Sequence, residues 1–134
     1  MIQFTIPIKP CVKKNSQQIV MVPIKKGSKR KRPMIIQSAA YRQYEKDCEK
    51  YIPNSKIDYP VNVKAIFYMP SRRRVDLSNL LEGLHDIMTK YNCIEDDNCN
   101  IIYSVDGSRV LYDKENPRTE IEITKLDVTT IRNL

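Results

Sequence analysis

Val61, Val63, Ala65, Phe67 and Met69 fall on every second position in the middle of the chain, which predicts a half-buried strand over Val61–Met69. Beyond Pro70 the period changes. Leu77, Leu80, Leu81, Leu84, Ile87 and Met88 recur at helical spacing and predict a helix over Leu77–Tyr91 with one buried stripe. The same reading predicts strands at Ile2–Ile8, Gln18–Ile24, Ile101–Val105, Ser108–Tyr112 and Thr119–Lys125, with a turn at Asp106-Gly107. A second helix is expected over Ser38–Tyr51. Lys25–Pro33, which holds Gly27 and a dense run of cations, reads as a loop between the Gln18–Ile24 strand and that helix. The fold class is therefore α/β: a small single domain in which a mixed β-sheet packs against two helices. No internal repeat or glycine-rich phosphate loop is visible, and three glycines argue against Walker-type nucleotide chemistry. Leu126–Leu134 carries no strong pattern and is read as a tail.

The polar positions of the Leu77–Tyr91 helix carry the chemistry. Ser78, Glu82 and Asp86 stand four residues apart, so they share one face. Asp76 precedes the periodic run, where a carboxylate caps a helix by accepting from an exposed amide. Asp96 and Asp97 follow the helix, and neighbouring side chains in extended backbone point to opposite sides, so one of the two is expected to face the shared site. Arg72, Arg73 and Arg74 lead directly into Asp76. Arginines attract phosphate, whereas carboxylates repel it unless divalent cations sit between them. A metal-dependent nuclease site accounts for both signs of charge together. The plainer account makes Asp76 a cap, Glu82 and Asp86 a solvated face, and Asp96-Asp97 an ordinary acidic turn. Spacing alone leaves both standing.

Charge adds a partner class. The chain of 134 residues carries 23 Lys and Arg against 16 Asp and Glu, a formal net charge of +7. The cations cluster as Lys9, Lys13 and Lys14, then Lys25, Lys26, Lys29, Arg30, Lys31 and Arg32, then the arginine triplet. Clusters of this kind suit a nucleic-acid backbone, although phosphate contacts carry no sequence information, and a solvated charge run is the alternative for the GSKRKRP segment. Asn15 and Ser16, beside Lys13 and Lys14, are suited to donating to phosphate or to closing a turn. The Lys25–Pro33 run holds no aromatic residue, so it offers single strands no stacking platform, and duplex or branched DNA fits better.

The stretch from Arg72 to Asn98 resembles the RusA family of Holliday junction resolvases, whose pattern is an arginine-rich approach, Asp-Leu-Asp-Asn opening a helix, and an acidic pair after it. Asp76, Asn79 and Asp97 match that pattern. The resemblance extends over the opening IPIKPCVKKNSQQIV, over Ser38 to Tyr44, and over the closing Thr119–Ile123, so it covers most of residues 1–125. It implies a nuclease domain over 1–125, with 126–134 as a tail. It implies a magnesium-dependent endodeoxyribonuclease, with manganese as a substitute, that resolves four-way DNA junctions in recombination or repair as a homodimer. Asp76 and Asp97 are then catalytic and metal-binding residues; Glu82 is assigned the same roles by inference from its place one turn beyond Ser78, with Asp96 a further ligand. Lys13, Lys14, Asn15, Lys29, Arg30, Lys31, Arg32, Arg72, Arg73, Arg74 and Asn79 would contact DNA.

Two positions depart from the pattern. Ser78 stands where the commonest form of the family has a second aspartate, and Glu82 where it has a lysine. Glu82 lies one turn beyond Ser78, and a helical side chain leans toward the N-terminus, so its carboxylate can reach back toward the missing one. The alternative is a catalytically weak or inactive protein that binds junctions or duplex DNA.

Cys11, Cys48, Cys93 and Cys99 lack close ligand spacing, and the single histidine, His85, does not complete a zinc set; buried thiols are expected. His85 lies beside the Ser78–Glu82 arc, open to a general-base role or to an ordinary place on the helix surface. Met1–Pro7 is too short and polar for a secretory signal, and no apolar run approaches about 20 residues. A cytoplasmic protein with reduced thiols is expected, without a membrane partner, and the resemblance implies a bacterial, phage or mobile-element source.

Overall fold

Val61, Val63, Ala65 and Phe67 are wholly buried while Asn62, Lys64, Ile66 and Tyr68 are half-buried, so the predicted alternation is realised along β4, Val61–Met69. The computed structural model describes residues 1–13 and 17–127. One side of β4 pairs antiparallel with β7, Arg118–Lys125, which sets Ile121 opposite Ala65 and Ile123 opposite Val63. β1, Ile2–Ile6, then pairs antiparallel with β7.

The other side of β4 takes two short parallel strands in succession. β5, Ile102–Ser104, pairs near Val61 and Asn62, and β6, Arg109–Tyr112, pairs with Ile66–Met69. Parallel pairing demands a crossover, which α2, Leu77–Lys90, provides. The Asp106-Gly107 turn joins β5 to β6. Gly107 has φ +88°, and a Cβ there would stand 3.1 Å from Lys64 Cδ, so both conformation and space call for glycine. Asn62 holds the turn, its Oδ1 accepting from Ser104 Oγ at 2.6 Å and from the Asp106 amide at 2.8 Å.

α1, Ala39–Cys48, begins at Ser38, whose Oγ accepts from the Tyr41 amide at 3.2 Å, and a 3-10 turn over Glu49–Tyr51 finishes it. On α2, Leu80, Leu84, Ile87 and Met88 are buried, while Leu77 and Leu81 flank the stripe half-buried. Each fully buried side chain of that size contributes about 1.5–3 kcal/mol. They join Ile6, Tyr41, Phe67 and Ile121 in one core. Tyr41 donates its hydroxyl to the Gly83 carbonyl at 3.3 Å, and the Lys90 ammonium pairs with Glu45, so the two helices are locked side by side.

The expected loop at Lys25–Pro33 is corrected in part. β2, Gln17–Pro23, pairs antiparallel with β3, Lys31–Gln37, in a separate two-stranded arm. Only the turn between them is irregular, closed by the Ile24 amide on the Arg30 carbonyl at 3.0 Å. β3 was hidden because Lys31, Arg32 and Pro33 disfavour strand, and because both faces of the arm are largely open to solvent. Ile19, Met21, Met34 and Ile35 are all exposed. Without a buried face there is no alternation to read. Leu126 still donates its amide to Pro60, while 128–134 lie outside the described residues.

Candidate active site and nucleic-acid interface

The chain leaves β4 through an exposed segment that carries the arginine triplet to the mouth of α2. Arg72 lies 4.6 Å from the ring centroid of Tyr112 on β6, a cation–π contact that fixes its direction. Arg73 and Arg74 form no ion pair with a described residue. The triplet is thus divided between one stacked guanidinium and two available to an anion.

Asp76 caps α2. Its backbone is extended, and its Oδ1 accepts from the Ser78 amide at 3.0 Å and from the Ser78 hydroxyl at 2.7 Å. Ser78 therefore does not leave an empty place in the family pattern; its hydroxyl orients the Asp76 carboxylate. Asn79, expected to contact DNA, is 7 % exposed on the core side of α2, which leaves little of it for a phosphate.

Further along the helix, Glu82 is exposed and the half-buried Asp86 pairs with Lys13. The hydrogen bond to Asp86 is the main cause holding the Lys13 ammonium above its ordinary pKa; burial opposes it, and the charges of Asp86, Glu82 and Glu45 reinforce it. Lys13, expected to reach phosphate, is thus engaged within the acidic face. Gly83 packs beside Tyr41 and Lys13, and a Cβ there would meet Tyr41 at 3.4 Å and Lys13 Cβ at 3.6 Å, ordinary contact distances. Lys14 and Asn15 lie outside the described residues.

Asp96 and Asp97 have opposite settings. Asp96 accepts from Asn98 Nδ2 at 3.0 Å and from the Asp97 amide at 2.8 Å, which hold its carboxyl below the usual range. Asp97 is also exposed, yet partial desolvation, its hydrogen bond with Asp96 and the negative charges of Asp86 and Asp96 push its carboxyl up. The charge of Asp86 on α2 thus reaches Asp97, while Asp96 is tied to Asn98.

The acids are spread along the helix, with Asp76 at its start and Glu82 and Asp86 one and two turns past Ser78. Asp86 lies about 15 Å beyond Asp76 along the axis. Among the described residues no three His, Cys, Asp or Glu side chains gather as a metal cage. The donor chemistry nevertheless fits a hard cation. Magnesium takes one or two carboxylates and leaves its other positions to water and phosphate, and exposed carboxylates at Asp76, Glu82 and Asp97 supply such oxygens.

His85 is half-buried. Desolvation lowers its pKa to about 4 against the opposing charge of Asp86, and its Nε2 has no hydrogen-bond partner among the described residues. Among the cysteines, Cys93 and Cys48 are buried, with Cys48 pushed up to about 12 by burial, but Cys99 is exposed rather than buried as expected. No disulfide joins the described cysteines. No helix among the described residues is long and apolar enough to cross a membrane.

Residues 7–124 match the family model described as endodeoxyribonuclease RusA. The chain belongs to the RusA endodeoxyribonuclease family. It is also similar to the crossover junction endodeoxyribonuclease RusA of Aquifex aeolicus (strain VF5), 40% identical over 49 residues. That match spans 37% of this chain and 37% of the relative.

Proposed function

We propose that the protein is a magnesium-dependent, structure-selective endodeoxyribonuclease that resolves four-way DNA junctions as a homodimer. The observation that carries this reading is family membership over residues 7–124, supported by the order of the site: available arginines, then Asp76 at a helix start, then the acidic Asp96-Asp97 loop. Asp76, Glu82 and Asp97 would hold the cation, with Asp96 beside them and manganese as a substitute. Bound magnesium neutralises phosphate charge and makes a nucleophile of water near neutral pH. The chain's own part is to set the carboxylates and to draw in the DNA. Ser78 orients Asp76, Asp96 crowds Asp97, and Arg73, Arg74 and the Lys29–Arg32 cluster bind the backbone.

Resolving a junction requires cuts in two opposed strands, and a two-fold dimer presents two sites related in the same way. The second reading, binding without cleavage, is favoured by the spread of the acids along α2 and the lack of a gathered cage among the described residues. Incubating the purified protein with a synthetic four-way junction, in magnesium or in chelator, separates the two. Symmetric cuts in magnesium alone support the nuclease; equal binding in both conditions without cuts supports the binding protein.

A further inference from the structure

A cleft of about 660 Å³ is walled by the Ile8–Val12 segment, by α1 from Ala40 to Asp47, and by the Met69–Val75 segment, which ends one residue before Asp76. Its lining is largely apolar, with Pro10, Tyr44 and Val75 contributing, and Lys9, Arg73 and Arg74 outnumber the Asp47 carboxylate. At the α1 lip Gln43 donates to Asp47 at 2.7 Å, which holds the two side chains in place. The volume lies within the range of small-molecule sites, and the lining combines apolar walls with a few placed polar groups.

The charges select the occupant. Two guanidiniums without a carboxylate partner among the described residues, beside an apolar hollow, fit an anion attached to a flat apolar body. In a DNA substrate that description is one nucleotide, phosphate on the arginines and base against the apolar lining. Val75 precedes Asp76, so the nucleotide held here lies next to the phosphate that the acids would address. The geometry points to a subsite for a single unstacked nucleotide, adjacent to the cut, in the cleft between α1 and the arginine segment. This rests on the DNA-cleaving function proposed above and adds the nucleotide it grips. Base stacking against protein tolerates any base, so the subsite selects an unstacked nucleotide rather than a sequence.

The test measures binding in calcium, which avoids dependence on cleavage. Four-way junctions carry an abasic nucleotide at each position, in turn, within a few nucleotides of the branch point. Loss of one particular base should weaken binding by the wild-type protein about tenfold. Ala40→Phe fills the cleft from an exposed position on α1; it should bind the intact junction about as weakly as wild type binds the abasic one, and should be indifferent to the missing base. Gln43→Ala, outside the acids, leaves the apolar lining in place and should keep the abasic effect. A wild-type protein insensitive at every position, or an Ala40→Phe variant as sensitive as wild type, would overturn the subsite while leaving the nuclease reading intact. Failure to bind any junction would overturn both.

Discussion

Asp76 has two roles that substitution can separate. Asparagine caps a helix about as well as aspartate, so Asp76→Asn should retain the fold while losing the charge a cation needs. Asp97→Asn removes a carboxylate already pushed up by its neighbours, so it should not harm stability. Both variants should lose magnesium-dependent cleavage and bind junctions as well as wild type or slightly better, because each lessens repulsion toward phosphate. Full cleavage by either would sink the ligand assignment. Glu82→Gln should be equally inactive if its carboxylate stands in for an aspartate at 78; an active Glu82→Gln enzyme returns Glu82 to the solvated face. Ser78→Ala should be milder, since it removes the hydroxyl that donates to Asp76 and keeps the Ser78 amide bond to the same carboxylate. His85 makes a separate prediction. Its folded pKa of about 4 lies below the ordinary 6.5, so the folded state disfavours protonation. The stability it preserves is complete above pH 6.5 and lost as pH falls toward 4, by roughly 3 kcal/mol at most. Urea midpoints of His85→Leu should therefore decline less than those of the wild type over that interval; parallel declines would mean His85 is open to water.

At the scale of elements, the β2–β3 arm and α2 illustrate two ways a sequence specifies structure. α2 has a strong apolar period, a cap and a core to face, and its predicted span differs from the observed one by a single terminal residue. The arm depends on strand pairing alone. It places Lys29 and Arg30 in its turn and Lys31 and Arg32 at the start of β3, all exposed. Replacing these four with alanine should leave the body of the protein folded, weaken binding to every duplex-containing DNA, and reduce the salt dependence by about one logarithmic unit for each phosphate no longer neutralised. An unchanged salt slope in a binding titration would assign the cluster to solvation.

For the whole molecule, the proposal requires two copies. Sedimentation should find a species near twice the 15.7 kDa of the chain. On a plasmid carrying an extruded four-way junction, paired sites should yield linear product in magnesium, whereas independent single sites should accumulate nicked circles. A monomer that nicks would preserve the chemistry and refute the dimer.

The sequence by itself determined the mixed α/β class, the β4 alternation, the α2 stripe with Asp76 as its cap, and the family resemblance, because each is a local pattern with a fixed period or spacing. Only the tertiary structure decided which charges meet. Lys13 joins Asp86 across 73 positions of chain, Arg72 stacks on Tyr112, and Asp97 rather than Asp96 feels the charge of Asp86. It also buried Asn79, half-buried His85 and drew β3 out of a run of cations. Periodicity encodes which face of an element is apolar; it does not encode which other element that face, or a charge on its margin, will touch.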